Sequence, residues 1–407
     1  MKHTTTKMLF ITAISAAVLY SCTKDSATLQ TETEETEVAH VITYNKAEAI
    51  EGSYIVIFKD DAFPTLLEKT AINKGNYQLE KSKLENNSRG LLKEKGFAAK
   101  EIKQSYVKTL TGIAVELSED ELKTLRTDDR VAYIEQDQIF SVMMGGPPSG
   151  GGGTATQTTP WGVTRVGGAI NGANSGTAWI IDSGIDLDHP DLNVDVANSQ
   201  TFLGGNSTAD DQNGHGTHVA GTVAAIDNNI GVVGVAAGAP VVSIRVLDRR
   251  GSGSNSGVIA GVDYVAANAS SGDAANMSLG GGISTALDNA VLAASSSCPF
   301  ALAAGNESQN ANNSSPARVN GNNVYTVSSM TSSDSWSSFS NYGNPPVDYC
   351  APGSSINSTW KSGGYNTISG TSMAAPHVCG ILLIGGITSS GTVNGDPDGN
   401  PDKIAHH

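Results

Sequence analysis

Three short runs near the front of the chain gather apolar and β-branched residues: Tyr54 to Phe58, Leu110 to Leu117 and Val131 to Glu135. Runs of this length and content predict strands. The charged stretch from Phe58 to about Phe97 is helix-compatible. Glu119 to Arg126 reads as a second helix, opened by Ser118 as its cap. Together these elements predict a small α+β domain at 52–143. Further on the pattern changes. Ala178 to Ile181, Val241 to Val246, Ala275 to Leu279 and Phe300 to Ala304 are short apolar runs, with helix-length stretches at Val258 to Ala267 and Ala286 to Ser296. Such alternation predicts an α/β domain, a mostly parallel sheet covered by helices. In sheets of this kind function gathers at the carboxyl ends of the strands.

The punctuation between these regions divides the chain. Gly145 to Gly153 holds six Gly and two Pro among nine residues. It has no core-forming side chain and reads as a linker or loose segment over 144–156. The α/β domain then covers 157–407. At the other end, Lys2 and Lys7 precede a short apolar run, Met8 to Tyr20. That is the pattern of a signal peptide over 1–22. Its close, Leu19-Tyr20-Ser21-Cys22, resembles a bacterial lipoprotein box, which implies lipid on Cys22. Residues 23–51 are polar, rich in Thr and Glu, and predict a flexible tether. No later segment reads as transmembrane.

Composition narrows the function classes. The 407 residues carry a net charge of −15, and 144–407 holds 7 Lys and Arg against 18 Asp and Glu, a net of −11. So acidic a surface is a poor nucleic-acid partner. The high glycine content, 46 residues, follows no three-residue repeat and excludes collagen. Beyond Cys22 there are Cys298, Cys350 and Cys379. One disulfide with one free thiol, or three buried thiols, both fit; Cys350–Cys379 is the favoured pair.

Three segments carry chemistry: Ile181-Asp182-Ser183-Gly184 after a buried strand, Gly214-His215-Gly216-Thr217-His218 entering a helix, and Gly370-Thr371-Ser372-Met373-Ala374 entering another. A serine hydroxyl becomes a nucleophile when a neighbouring base takes its proton. Imidazole suits that task near neutral pH, and a buried carboxylate holds its useful tautomer. Acyl transfer also needs donors aimed at the developing oxyanion. The three segments, in this order, resemble the signature segments of the subtilisin-like serine proteases, including the proteinase K-like members. The resemblance implies the three-layer fold of that family and a serine endopeptidase activity. It implies Asp182 as the orienting carboxylate, His215 as base, Ser372 as nucleophile and Asn306, in Ala303-Ala304-Gly305-Asn306, as oxyanion donor. Ser183, His218 and His377 are expected to be structural. A catalytically idle peptide binder, or an esterase with the same triad, is the alternative.

The same resemblance places a peptide cleft between Gly251, Ser252 and Gly253 on one side and Ser278, Leu279 and Gly280 on the other, with Ala304 and Gly305 nearby. No charged group is evident there, which predicts broad cleavage after apolar or aromatic residues. It implies structural Ca²⁺ held by Gln157, Asp191, Ile226, Asn228, Ile230 and Val232, an all-oxygen set. Asp396 to Asp402 is also oxygen-rich but lacks the full calcium-loop spacing. Residues 52–143 resemble the family's inhibitor-like propeptide, which implies folding assistance, a blocked cleft and self-cleavage near Met143 or Met144. A lipid on Cys22 would then anchor the precursor, and the cut would release a mature monomer outside the cell or in the envelope.

Overall fold

The computed structural model describes residues 38–43, 48–97, 99–142, 149–151 and 156–407. Lipidation of Cys22, the 1–22 signal and the Met143/Met144 cut lie outside them. The N-terminal domain is a sheet of five strands: β1 (His40–Ile42), β2 (Ala49–Phe58), β3 (Ile102–Tyr106), β4 (Gly112–Glu116) and β5 (Val131–Val142). Their spatial order is β1-β5-β2-β4-β3. All neighbours run antiparallel except β1, which lies parallel to β5. Helix α1 (Tyr77–Glu94) buries Tyr77, Leu84, Leu91 and Leu92, residues spaced to share one face. Helix α2 (Glu119–Leu125) is opened by Ser118 in a reciprocal capping box with Glu121, as its sequence predicts.

Order starts earlier than the sequence suggests. Residues 40–42 and 49–51, expected in the tether, form β1 and the start of β2. The third predicted strand is also longer, running on through Gln136, Asp137 and Gln138 to Val142. Of the expected linker, β6 (Ser149–Gly151) pairs antiparallel with Gly364–Ile368.

The C-terminal domain is built on a nine-stranded sheet. Val241–Arg245, Ala178–Asp182, Ala274–Met277, Phe300–Ala303, Val324–Met330 and Val347–Pro352 are consecutive neighbours and all parallel. Successive side chains on one strand enter different cores. Trp179 and Ile181 face helices Asn255–Asn268 and Thr285–Ala294, while Ala178 and Ile180 face helices His215–Ala224 and Thr371–Leu383. This two-sided burial explains why the strands read as unbroken apolar runs. The result is the mostly parallel, helix-covered sheet expected from the pattern, in the three layers that the resemblance implies. At the C-terminal end, Lys403–His406 lies beside Val347–Pro352 in the sheet and pairs with Thr388–Thr392.

The favoured Cys350–Cys379 disulfide is not formed. All three thiols are free and buried, and each sits in a different apolar cluster. Cys350 packs with Met330, Val393 and Ile404, whereas Cys379 lies among residues of helix Thr371–Leu383. Burial pushes all three thiols well above their ordinary range. Among the described residues no helix is long and apolar enough to cross a membrane.

Candidate active site

Asp182 ends its strand with a fully buried carboxylate. Ser183 N–H donates to its Oδ1 at 2.7 Å. His215 Nδ1 lies 2.8 and 3.0 Å from its two oxygens. That contact fixes the imidazole with its proton on Nδ1 and leaves Nε2 as the basic nitrogen. His215 Nε2 is buried and has no hydrogen-bond partner. The helix that carries His215 begins after Gly214, whose φ of 110° and lack of a Cβ are both needed. A Cβ there would meet the Trp360 ring at 2.3 Å.

Asp211 escaped notice in the sequence, yet it organises this loop. Its buried carboxylate accepts from Ser183 Oγ, Asn213 N, Gly214 N, Thr217 N and Thr217 Oγ1 at 2.7–3.0 Å. Burial raises its pKa despite those donors. An acid four residues ahead of a helix-opening His was the available signal. His218 and His377 are structural, as expected. Burial lowers them to about 3 and about 4, so both are neutral at ordinary pH. Each donates to a backbone carbonyl, of Ile356 and Met373.

Ser372 is not the cap of its helix. Gly370 takes that position, and Ser372 stands in the first turn. Its Oγ donates to the Ser278 carbonyl at 3.0 Å, and Ser278 Oγ donates back to the Ser372 carbonyl at 2.8 Å. Asn306 lies beside it. Its Oδ1 accepts from Thr371 N at 2.9 Å and Thr371 Oγ1 at 3.0 Å. Its Nδ2 is buried and unpartnered. An unmet donor at such a place costs roughly 1–3 kcal/mol, so it marks a position where an acceptor is meant to arrive. Asn341, also missed, braces this loop by donating to the Ala304 carbonyl and accepting from Glu307 N and Gln309 N.

The two segments expected to line a peptide cleft are bridged by the chain itself. The end of β5 lies between Ser252–Ser254 and Leu279–Gly280 and pairs antiparallel with both. Ser141 faces Ser252 and Gly280, Phe140 faces Gly253, and Val142 faces Leu279. Val142 N–H donates to the Gly251 carbonyl at 2.9 Å. Gly253 has no room for a side chain, since a Cβ would fall 2.1 Å from the Val246 carbonyl oxygen. Ala304 and Gly305 differ from the other expected cleft residues: their N–H groups are held by the Val327 carbonyl and Thr371 Oγ1. A cavity beside Val142 is lined by Gly280, Gly281, Gly282, Glu307 and Gln309. Two carboxylates line it, Glu307 of the catalytic domain and Glu48 of the N-terminal domain.

Three carboxylates anchor the two domains, and none belongs to a motif. Asp137 of β5 accepts from Ser256 N and Ser256 Oγ at the start of helix Asn255–Asn268. Glu135 of β5 accepts from Ala286 N at 2.9 Å and from Ser284 Oγ, at the start of helix Thr285–Ala294. Both satisfy donors that a helix start leaves open. In the other direction, Asp263 accepts from Tyr77 Oη, Val107 N, Lys108 N, Thr109 N and Thr109 Oγ1.

The six expected calcium ligands are drawn into one loop region. Asp191 is buried, and burial raises its pKa. It accepts from Asn228 Nδ2 at 2.7 Å, Val232 N at 3.1 Å and Tyr365 Oη at 3.2 Å. Gln157 Nε2 donates to the Ile226 carbonyl at 3.1 Å, and Asn228 Oδ1 accepts from Ile230 N at 2.7 Å. A buried carboxylate among two amides and loop carbonyls fits a hard cation in donor chemistry. Among the described residues no group of three or more His, Cys, Asp or Glu gathers as a metal cluster. In the oxygen-rich segment, Asp396 and Asp398 accept backbone N–H groups of Asp398, Asp402 and Asn400.

Comparison with known proteins agrees with this geometry. The family model described as "Subtilase family" matches residues 179–384, and "Peptidase inhibitor I9" matches residues 53–143. The chain is 44% identical over 300 residues to alkaline serine exoprotease A of Vibrio alginolyticus, across 71% of this chain and 54% of that one. It is thus aligned to about half of that relative's length. It is 39% identical to the extracellular serine proteinase of a Thermus species, covering 86% of this chain and 83% of the relative. Among solved structures, a cold adapted subtilisin-like serine proteinase aligns with a TM-score of 0.53 and 43% identity, over 60% of this chain and 97% of that one.

Proposed function

We infer the reaction from one premise: this chain belongs to the subtilase family of serine endopeptidases and carries an I9 inhibitor domain ahead of its catalytic domain. The observation that supports the reading most is the buried pair of Asp182 and His215 with Nε2 unpartnered. Ser372 Oγ attacks the substrate carbonyl and His215 Nε2 takes its proton. Asp182 stabilises the imidazolium that results. Asn306 Nδ2 donates to the tetrahedral oxyanion, with the positive end of helix Thr371–Leu383 behind it. His215 returns the proton to the leaving amine, and water then hydrolyses the acyl-enzyme. A substrate enters as an added strand between Ser252–Ser254 and Leu279–Gly280, in the place that β5 holds in the precursor.

The propeptide is accordingly the first substrate and then an inhibitor, with the cut near Met143 or Met144. An anchor on Cys22 would lie on the propeptide side of that cut. Calcium, held by Gln157, Asp191, Ile226, Asn228, Ile230 and Val232, would supply positive charge to a buried carboxylate and brace the loop. The test is to refold the full precursor with calcium and follow self-cleavage, casein hydrolysis and fractionation beside Ser372→Ala. The native protein is expected to process itself, hydrolyse casein and leave the membrane fraction, while Ser372→Ala stays whole, inert and membrane-bound. Equal activity in the two proteins would remove Ser372 as nucleophile.

A further inference from the structure

The catalytic domain is poor in cations, so the exposed ones stand out. Residues 144–407 hold seven Lys and Arg against 18 acids. Arg165 pairs with Asp334 and Arg318 with Asp288. Arg245 is buried and donates to the carbonyls of Leu247, Thr208 and Asp210. Lys361 donates to the Gln212 carbonyl. Arg249 and Arg250 are exposed and, like Lys403, have no hydrogen-bond or ion-pair partner for their charged groups among the described residues; they differ in being adjacent.

Their position is fixed by the backbone around them. Gly251 N–H closes a tight turn on the Asp248 carbonyl at 2.9 Å, which puts Arg249 and Arg250 at its tip. Asp248 Oδ1 holds the turn by accepting from Arg250 N and Ser252 N. The turn also touches the catalytic loop, because Asn213 Nδ2 donates to the Arg249 carbonyl while Asn213 Oδ1 accepts from His215 N. On its inner side lies Val142. A Cβ on Gly251 would come within 2.9 Å of the Val142 side chain and 3.3 Å of Asn213 Nδ2. A side chain at the place of Val142 is therefore packed against the residue next to Arg250, whose Cα is about 3.8 Å further along the chain.

We propose that Arg249 and Arg250 form a charge-selective subsite, favouring substrates that carry an acidic side chain where the precursor places Val142. The proposal rests on the endopeptidase reading of the same cleft. Guanidinium suits the task because it stays charged at every working pH and presents several donors to a carboxylate. The neutral Val142 leaves the pair unengaged in the precursor. An acid arriving there meets two positive charges on the Gly251 side, opposed by Glu307 in the cavity on the Gly280 side and by Asp248 within the turn, and the two guanidiniums outweigh these because they stand at the tip next to Gly251. The gain is that of exposed ion pairs, a few-fold each, and it is screened by salt.

The test uses the processed enzyme and three peptides built on the sequence of 138–144, identical except for Glu, Gln or Lys at the position of Val142. At low salt, kcat/KM for the Glu peptide is expected to exceed that for the Lys peptide by about 10-fold, shrinking to about 2-fold or less at high salt. In Arg249→Ser/Arg250→Ser the ratio falls towards one, and in Arg250→Glu it shifts further towards the Lys peptide. A ratio unaltered by either variant, or indifferent to salt, overturns the proposal. The Gln peptide separates the two levels of inference: if the native enzyme cleaves it without preferring Glu, the subsite fails alone. If no peptide is cleaved at all, the endopeptidase reading fails and takes the subsite with it.

Discussion

Asn306 shows how much one side chain can disclose. Its carbonyl end is held by two donors of Thr371, so the amide cannot turn to find another partner for Nδ2. The nitrogen stays buried and unmet beside the residue that precedes Ser372. A folded protein keeps such a group where the missing acceptor forms only during reaction. Asn306→Ala is therefore expected to lower kcat by about 10²–10³-fold while KM changes little. That size is the one known for loss of the equivalent donor type in subtilisin, not one obtained from this geometry. Steady-state kinetics on a chromogenic peptide would check it, and an equal rise in KM with kcat intact would instead make Asn306 a substrate-binding residue. Asp182, His215, Ser372 and Asn306 were legible in the sequence because each lies inside a contiguous motif. Asp211 and Asn341 were not, because each works by bridging segments that meet only after folding.

At the level of elements, β5 unites two tasks in one strand. Its first half is a sheet strand of the N-terminal domain and its end lies between the two segments of the proposed cleft. The sequence reading stopped the strand at Glu135, since the next residues are polar. Those polar residues are needed there: Asp137, like Glu135 before it, meets an open helix start in the catalytic domain, and Gln138 Nε2 donates to the Ile283 carbonyl. Interface chemistry thus hid the strand signal. The reciprocal anchor, Asp263, gives a clean test. Asp263→Ala would leave three backbone N–H groups and two hydroxyls without their acceptor, at roughly 1–3 kcal/mol for each one left dry. Propeptide retention after the cut is expected to weaken by about 100-fold or more. The lag between self-cleavage and full activity should shorten accordingly, with the final kcat/KM preserved. An unchanged lag would show that Asp263 does not govern retention.

Across the whole molecule, the α/β order was readable because the sheet is buried on both faces and announces itself as apolar runs. What holds the first residues of the catalytic domain was less so. Gln157 N–H donates to the Asn229 carbonyl, Thr158 N–H to the Gly231 carbonyl, and β6 pairs with Gly364–Ile368. That strand forms a hairpin with Ile356–Trp360, and its Tyr365 reaches Asp191. The start of the domain, the hairpin and the proposed calcium loop therefore form one connected unit around one buried carboxylate. Burial raises the Asp191 pKa, and its hydrogen bonds are all to neutral groups, so a bound cation would offset a charge that is otherwise costly. Calcium at about 100 times its dissociation constant would add about 2.7 kcal/mol. In a domain of this size that is on the order of 5–10 °C in Tm. Melting the Ser372→Ala precursor, which does not digest itself, with calcium or with chelator is expected to show that difference. Asp191→Ala should melt lower and lose the response to chelator. A native precursor whose Tm ignores calcium would mean that Asn228, Val232 and Tyr365 alone satisfy Asp191, and that hydrogen bonds replace the ion here.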